Sequence, residues 1–191
     1  MYYPTLTRLM PGLVDITIEV DREVNPWPTF VIWDACISSR RSLEWGVMPA
    51  GSVNQAVAEG PDGTFGTICF CFEEGTGRFR SVQIPSNLVA ASTPAAKEPL
   101  PTTNGAPSAV AFFDLTFWSD SRTSRAREKT LLAPAQCYVS ANELRIQFCQ
   151  DLSAWIGLAP GLWIGLDSEE RLVGLWCLSS AVDFSAIVRS Y

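Results

Sequence analysis

The chain has 191 residues, 47% of them apolar and 18% charged, a net charge of −6 and no histidine at all. Without an imidazole there is no Ser-His-Asp or Cys-His catalysis and no His-containing zinc or haem site, because those chemistries rest on a group that titrates near neutrality. The acidic balance argues against nucleic-acid binding by the surface as a whole, which needs a positive field to displace counterions from phosphates, and the length suits one domain with a sizeable core.

Along the chain the dominant apolar period is two. Val14, Ile16, Ile18 and Val20 alternate with Asp15, Thr17, Glu19 and Asp21, which predicts a half-buried strand with a wet acidic face. Pro26, Trp27 and Pro28 break the chain. Thr29 to Ser38 is a mostly apolar run suited to a central strand, and Ser42 to Val47 a shorter one.

The strongest hairpin signal follows. Thr64 to Glu73 runs into Glu74-Gly75-Thr76-Gly77, and Arg78 to Ile84 returns. The glycines supply the positive φ a tight bend requires. Ile68, Phe70 and Phe72 fall on one face; Thr67, Cys69 and Cys71 fall on the other.

Residues 92–108 hold four prolines among Ser, Thr, Ala and Gly, which predicts a long exposed loop or an interdomain linker. Ala109 to Ser119 is a long strand candidate that puts Asp114, Thr116 and Trp118 on one face. Asp120 to Thr130 is polar and basic. Gln136 to Val139 and Glu143 to Cys149 read as a hairpin with Leu144, Ile146 and Phe148 inward. Asp151 to Ile156 reads as one helical turn, Leu162 to Leu166 and Arg171 to Leu178 as a last hairpin, and Val182 to Val188 as a final strand. Short helix is also expected at Val53 to Ala58 or at Ser121 to Leu132.

Together these give roughly nine or ten strands with minor helix, an all-β chain of antiparallel sandwich or barrel type. Residues 1–191 are read as one domain carrying the 92–108 loop or linker.

Five features bear on function. Arg122, Arg125, Arg127 and Lys129 are candidate anion or RNA contacts, since clustered arginines suit phosphates; a solvated stretch is the plainer reading. Among seven tryptophans, Trp27 between its prolines and Trp118 beside Asp114 and Thr116 are candidate interface or ligand contacts, because exposed Trp is favoured at binding hot spots. Trp155-Ile-Gly-Leu158 recurs at Trp163 to Leu166, and Gly161-Leu-Trp163 at Gly174 to Trp176; this is too short for a structural repeat, and glycines relieving close packing explain it.

The six cysteines, at 36, 69, 71, 137, 149 and 177, read as buried free thiols rather than a disulfide framework or a zinc site, for no Cys-x2-4-Cys knuckle occurs. Carboxylates are the remaining acid-base groups: Glu73-Glu74, Glu169-Glu170, and the Asp15, Glu19 and Asp21 face. The first two pairs fall in expected turns.

With no catalytic signature, no metal and no cofactor expected, the sequence points to a non-enzymatic assembly or binding protein. The specific expectation is a structural subunit of a larger particle, capsid, shell or appendage in type, working through contacts with other protein subunits as a homo- or hetero-oligomer. The alternatives are a β-barrel or sandwich recognising a carbohydrate or apolar small molecule, a carboxylate-dependent hydrolase, and a coat protein touching RNA only through 122–129. No signal peptide or membrane span is read, so the expected location is the cytoplasm or an assembled particle.

Overall fold

A computed structural model describes residues 3–12, 16–21, 29–34, 41–49, 67–85, 93–94, 108–116, 128–133 and 135–189. The chain is mostly β. Its described strands are β1 (Thr5–Pro11), β2 (Ile16–Asp21), β3 (Thr29–Asp34), β4 (Ser42–Pro49), β5 (Ile68–Glu73), β6 (Phe79–Pro85), β7 (Thr93–Pro94), β8 (Ala109–Asp114), β9 (Glu128–Ala133), β10 (Gln136–Val139), β11 (Glu143–Gln147), β12 (Leu152–Ala159), β13 (Leu162–Asp167) and β14 (Leu172–Leu178). One short helix, α1 (Phe184–Arg189), follows.

The strands form three sheets: a two-stranded ribbon β1-β8, a six-stranded sheet β12-β13-β14-β11-β10-β7 and a six-stranded sheet β2-β3-β6-β5-β4-β9. Most neighbours are antiparallel, but β7 joins β10, and β9 joins β4, in parallel.

The alternation expected of the 68–84 hairpin is what shapes its sheet. Ile68, Phe70 and Phe72 are buried, as are Val82 opposite Phe70, Phe79 opposite Phe72, and Ile84. At the bend Gly75 and Gly77 both have positive φ. Gly77 is also pinned between elements: its carbonyl accepts the Phe113 N–H at 2.9 Å. A Cβ on Gly77 would lie 1.9 Å from the Phe113 carbonyl oxygen, so only glycine fits both the dihedral and the approach.

The two larger sheets meet through aromatic rings. Trp45 of β4 lies 5.8 Å, and Phe70 of β5 5.7 Å, from Phe148 at the end of β11, both edge to face. Phe72 meets Phe113 of β8 at 5.2 Å, which brings the ribbon onto the same core. Leu144, Ile146, Leu162, Ile164, Leu175 and Cys177 complete it from the other sheet. The N-terminal strand is fastened at the far end of the chain: Leu6 N–H donates to the Glu170 carbonyl, and Leu172 N–H to the Pro4 carbonyl, both at 2.9 Å.

Several expectations are corrected. Residues 151–156 are not helical; 152–159 is strand β12. Residues 184–189 are helix rather than strand. The Asp183 carboxylate accepts the Ala186 N–H at 3.0 Å, a capping contact that starts a helix, and Phe184 is fully buried. Of the helix considered over 121–132, residues 128–132 are in strand β9 instead, and 121–127 lie outside the described residues. Thr93–Pro94, inside the proline-rich segment, is a strand after all. It sits at a sheet edge, where proline's missing N–H is tolerated. Strand β8 stops at Asp114 instead of running to Ser119. β1 was not foreseen, and the described residues hold fourteen strands against the nine or ten expected. The helix considered at 53–58 lies outside the described residues.

Candidate functional site

The groups that stand out lie on the face of the β12-β13-β14-β11-β10 sheet opposite the core. In an antiparallel pair, residues directly across from one another share a face. Trp163 of β13 is opposite Trp176 of β14, Trp176 is opposite Arg145 of β11, and Arg145 is opposite Tyr138 of β10. These four therefore make one row across four strands. Trp163 and Trp176 stack at 4.3 Å between ring centroids, 25° from parallel. The Arg145 guanidinium lies 5.6 Å from the Tyr138 ring centroid.

The adjoining row is Trp155, Gly165, Gly174 and Gln147. The two glycines make room for Trp155. A Cβ on Gly165 would be 3.1 Å from the Trp155 Cζ3, and one on Gly174 3.0 Å from its Cη2. The indole edge thus rests on bare backbone and meets Trp176 at 5.8 Å, edge to face. On the other side of the Trp row, Glu143 is paired with Leu178.

This face is not wet. Trp163 is 7% exposed, Trp176 1% and Glu143 5%, and Arg145 is buried with them. Trp155 and Tyr138 are half-buried. The indole Nε1 of Trp163, the indole Nε1 of Trp176 and Oε1 of Glu143 have no hydrogen-bond partner. Buried polar atoms nearly always have one, so three orphans on one face are a chemical signal.

The residues singled out in the sequence fall elsewhere. Trp27, Trp118, Arg122, Arg125 and Arg127 lie outside the described residues. Lys129 is in β9, across from Trp45 of β4, so the end of the basic stretch is sheet and not loop. Asp114 and Thr116 are exposed, but β8 ends between them. The Asp114 Oδ1 accepts the Thr116 N–H at 2.8 Å, which makes a turn at these two residues and not a continuing strand.

The carboxylates are also placed. Glu73, expected to be a solvated turn residue, is buried and accepts the Thr76 hydroxyl proton. Glu74 is exposed. Glu169 is exposed and pairs with the Arg171 Nη1 at 2.9 Å. Glu19 is exposed on β2, and Thr17 beside it on the same face is exposed too.

Cys69, Cys71, Cys137, Cys149 and Cys177 are free thiols. Burial pushes the Cys137 thiol up to about 12 and Cys177 further. Cys71 is also raised, mainly by burial. Among the described residues no three His, Cys, Asp or Glu side chains are grouped as metal ligands, and no helix is long and apolar enough to cross a membrane.

Sequence reasoning passed over Trp155, Trp163 and Trp176. The signal was present in the twice-repeated Trp-Ile-Gly-Leu and Gly-Leu-Trp strings, but only strand register turns those strings into rows. Comparison with known proteins matches the chain to no family model and to no curated relative.

Proposed function

We propose that the protein is a non-catalytic assembly or binding protein: one all-β domain, its two six-stranded sheets facing each other as a sandwich, that serves as a structural subunit of a larger particle. The β1-β8 ribbon carries this reading. Thr7 to Pro11 are all exposed. Leu9 and Met10 are 39% and 42% exposed, large apolar groups held out on a strand. Beyond the bridge that ties Thr5 to Arg171, β1 pairs with β8 alone among the described strands, which leaves its Thr7–Pro11 edge open. An outer strand edge next to apolar side chains is a template for adding a strand from another subunit.

The single-domain reading is supported by the core, which mixes side chains from before and after residues 92–108. It is supported again by β9, which the second half of the chain contributes to the sheet of the first. The partner is another protein subunit, a second copy or a different chain.

Size exclusion with light scattering at several concentrations tests the reading. A large or concentration-dependent species that reverts to monomer in Leu9→Asp/Met10→Asp supports it. A strict monomer at micromolar concentration removes the homo-oligomeric version.

A further inference from the structure

Strand β12 is the edge of its six-stranded sheet, with β13 on one side and no described strand on the other. Such an edge is a template for pairing with another chain, and proteins blunt it with charge, proline or shortness. The other three outer strands of the two six-stranded sheets are blunted. β2 carries Glu19 and Asp21, β9 carries Glu128 and Lys129, and β7 is two residues long and holds Pro94. β12 runs for eight residues, Leu-Ser-Ala-Trp-Ile-Gly-Leu-Ala, with no charge and no proline. Ser153 and Ala154 are exposed, and Leu152, Trp155, Ile156 and Gly157 are half-buried; only Leu158 and Ala159 are buried.

The register says which chain fits this edge. Between the two bulges of β12, Trp155 stands opposite Gly165, Ile156 opposite Ile164 and Gly157 opposite Trp163. Trp-Ile-Gly thus runs against Gly-Ile-Trp, because β12 and β13 carry the same string. The β12 of a second copy, laid antiparallel along the open edge with Ile156 across from Ile156, offers the same three side-chain pairs. Its ladder hydrogen bonds fall on the alternate residues, whose backbone groups point away from β13. Charge agrees with this occupant. Two chains of net charge −6 repel one another, and an uncharged edge lets them meet without burying an unpaired charge. A partner recognised by its charge would find nothing on this strand to pair with.

We propose that two copies of the protein join β12 to β12 across a two-fold axis at Ile156, making one continuous sheet of their six-stranded sheets. This rests on the assembly reading and gives it a second contact, separate from the β1-β8 ribbon. A subunit with two different self-contacts can build beyond a dimer.

Sedimentation velocity and hydrogen exchange test it, on the full chain and on Leu9→Asp/Met10→Asp, over roughly 1–500 µM, the range of weak self-pairing. With the ribbon contact removed, the double variant should still form a dimer as concentration rises, and amides within 153–157 should gain protection as it forms. Ala154→Lys, added to that variant at an exposed edge position, should weaken the dimer roughly tenfold or more. Ile156→Cys should give a covalent dimer under oxidised glutathione that the same chain without it does not, since directly opposed residues lie within disulfide reach. A double variant that stays monomeric across the range overturns the proposal; if the parent associates, the ribbon contact survives alone. So does a dimer that Ala154→Lys leaves intact while circular dichroism shows the variant folded. A dimer without the 153–157 protection or without the Ile156→Cys cross-link overturns it as well.

Discussion

Asp167 grips Arg171 with both carboxylate oxygens. Oδ1 accepts the Arg171 backbone N–H at 2.9 Å, and Oδ2 accepts the guanidinium Nε–H at 2.6 Å. Oδ1 also takes the Glu169 N–H at 2.9 Å. The Asp167 side chain is 1% exposed, and Glu170 inside the turn is held at a φ of 60°. The carbonyl of that residue receives the Leu6 N–H, so this carboxylate organises both the β13–β14 turn and the seat of β1.

Asp167→Ala should therefore destabilise the fold by about 3 kcal/mol, the scale of a buried, charge-assisted network losing one member. Urea unfolding of the variant against the parent checks it. The pH dependence has a defined sign. Burial raises the Asp167 pKa, but the hydrogen bonds from Arg171 and Glu169 outweigh it, and the folded value lies below the unfolded one. Its contribution is present above the unfolded carboxylate range and is lost as pH falls through the folded pKa. The stability of the parent should decline in that acid window, and Asp167→Asn should flatten this part of the curve.

The two turn glycines should respond unequally. Gly75→Ala meets open space and only the backbone cost of a positive φ, about 1 kcal/mol. Gly77→Ala puts its methyl into the Phe113 carbonyl and must move β8, so its cost should exceed that of Gly75→Ala by about 2 kcal/mol or more. Paired denaturation curves decide this; equal midpoints would contradict the close approach.

Gly174→Ala should lift the Trp155 ring off its seat. The new methyl meets the indole Cη2 at 3.0 Å and the Ile146 carbonyl oxygen at 3.1 Å. The expected cost is about 1–3 kcal/mol for overpacking, with a red-shifted indole emission and a reduced near-ultraviolet dichroism from the Trp155–Trp176–Trp163 group. An unchanged aromatic spectrum would argue against the seat.

Much of the architecture is readable in the sequence where a local rule and the tertiary environment agree. The 68–84 hairpin has strict alternation and a glycine turn, and the inward Leu144, Ile146 and Phe148 follow from period two alone. The rest depends on partners distant in the chain. Residues 152–159 become a strand because β13 takes them in register and the glycines receive Trp155. Residues 182–188 alternate well enough to resemble a strand, yet one capping carboxylate at Asp183 and burial of Phe184 make 184–189 a helix. The candidate site was missed for the same reason: Trp27 and Trp118 are conspicuous by their neighbours in sequence, whereas Trp155, Trp163 and Trp176 become a site only through register.

The thiols should divide by burial. Cys71, Cys137 and Cys177 are buried with raised pKa values, so their reactive thiolate is scarce at pH 8. Native alkylation followed by mass spectrometry should label Cys69 and Cys149, both half-buried, well before these three, which react fully only in denaturant. Rapid labelling of Cys177 in the native protein would contradict its place in the core.

The clasp of β1 over the 167–171 turn sets an order of events during synthesis. The strands β2 to β6 leave the ribosome early and can pair with one another as they appear. The seat for Pro4 and Leu6 does not exist until Leu172 has been added, and the open side of β4 waits for Glu128 to Ala133. For most of translation the nascent chain carries an apolar N-terminal strand and an unpaired sheet edge together. Such long-range closure places folding in the slow range for small domains and makes the half-made chain a natural client for chaperones.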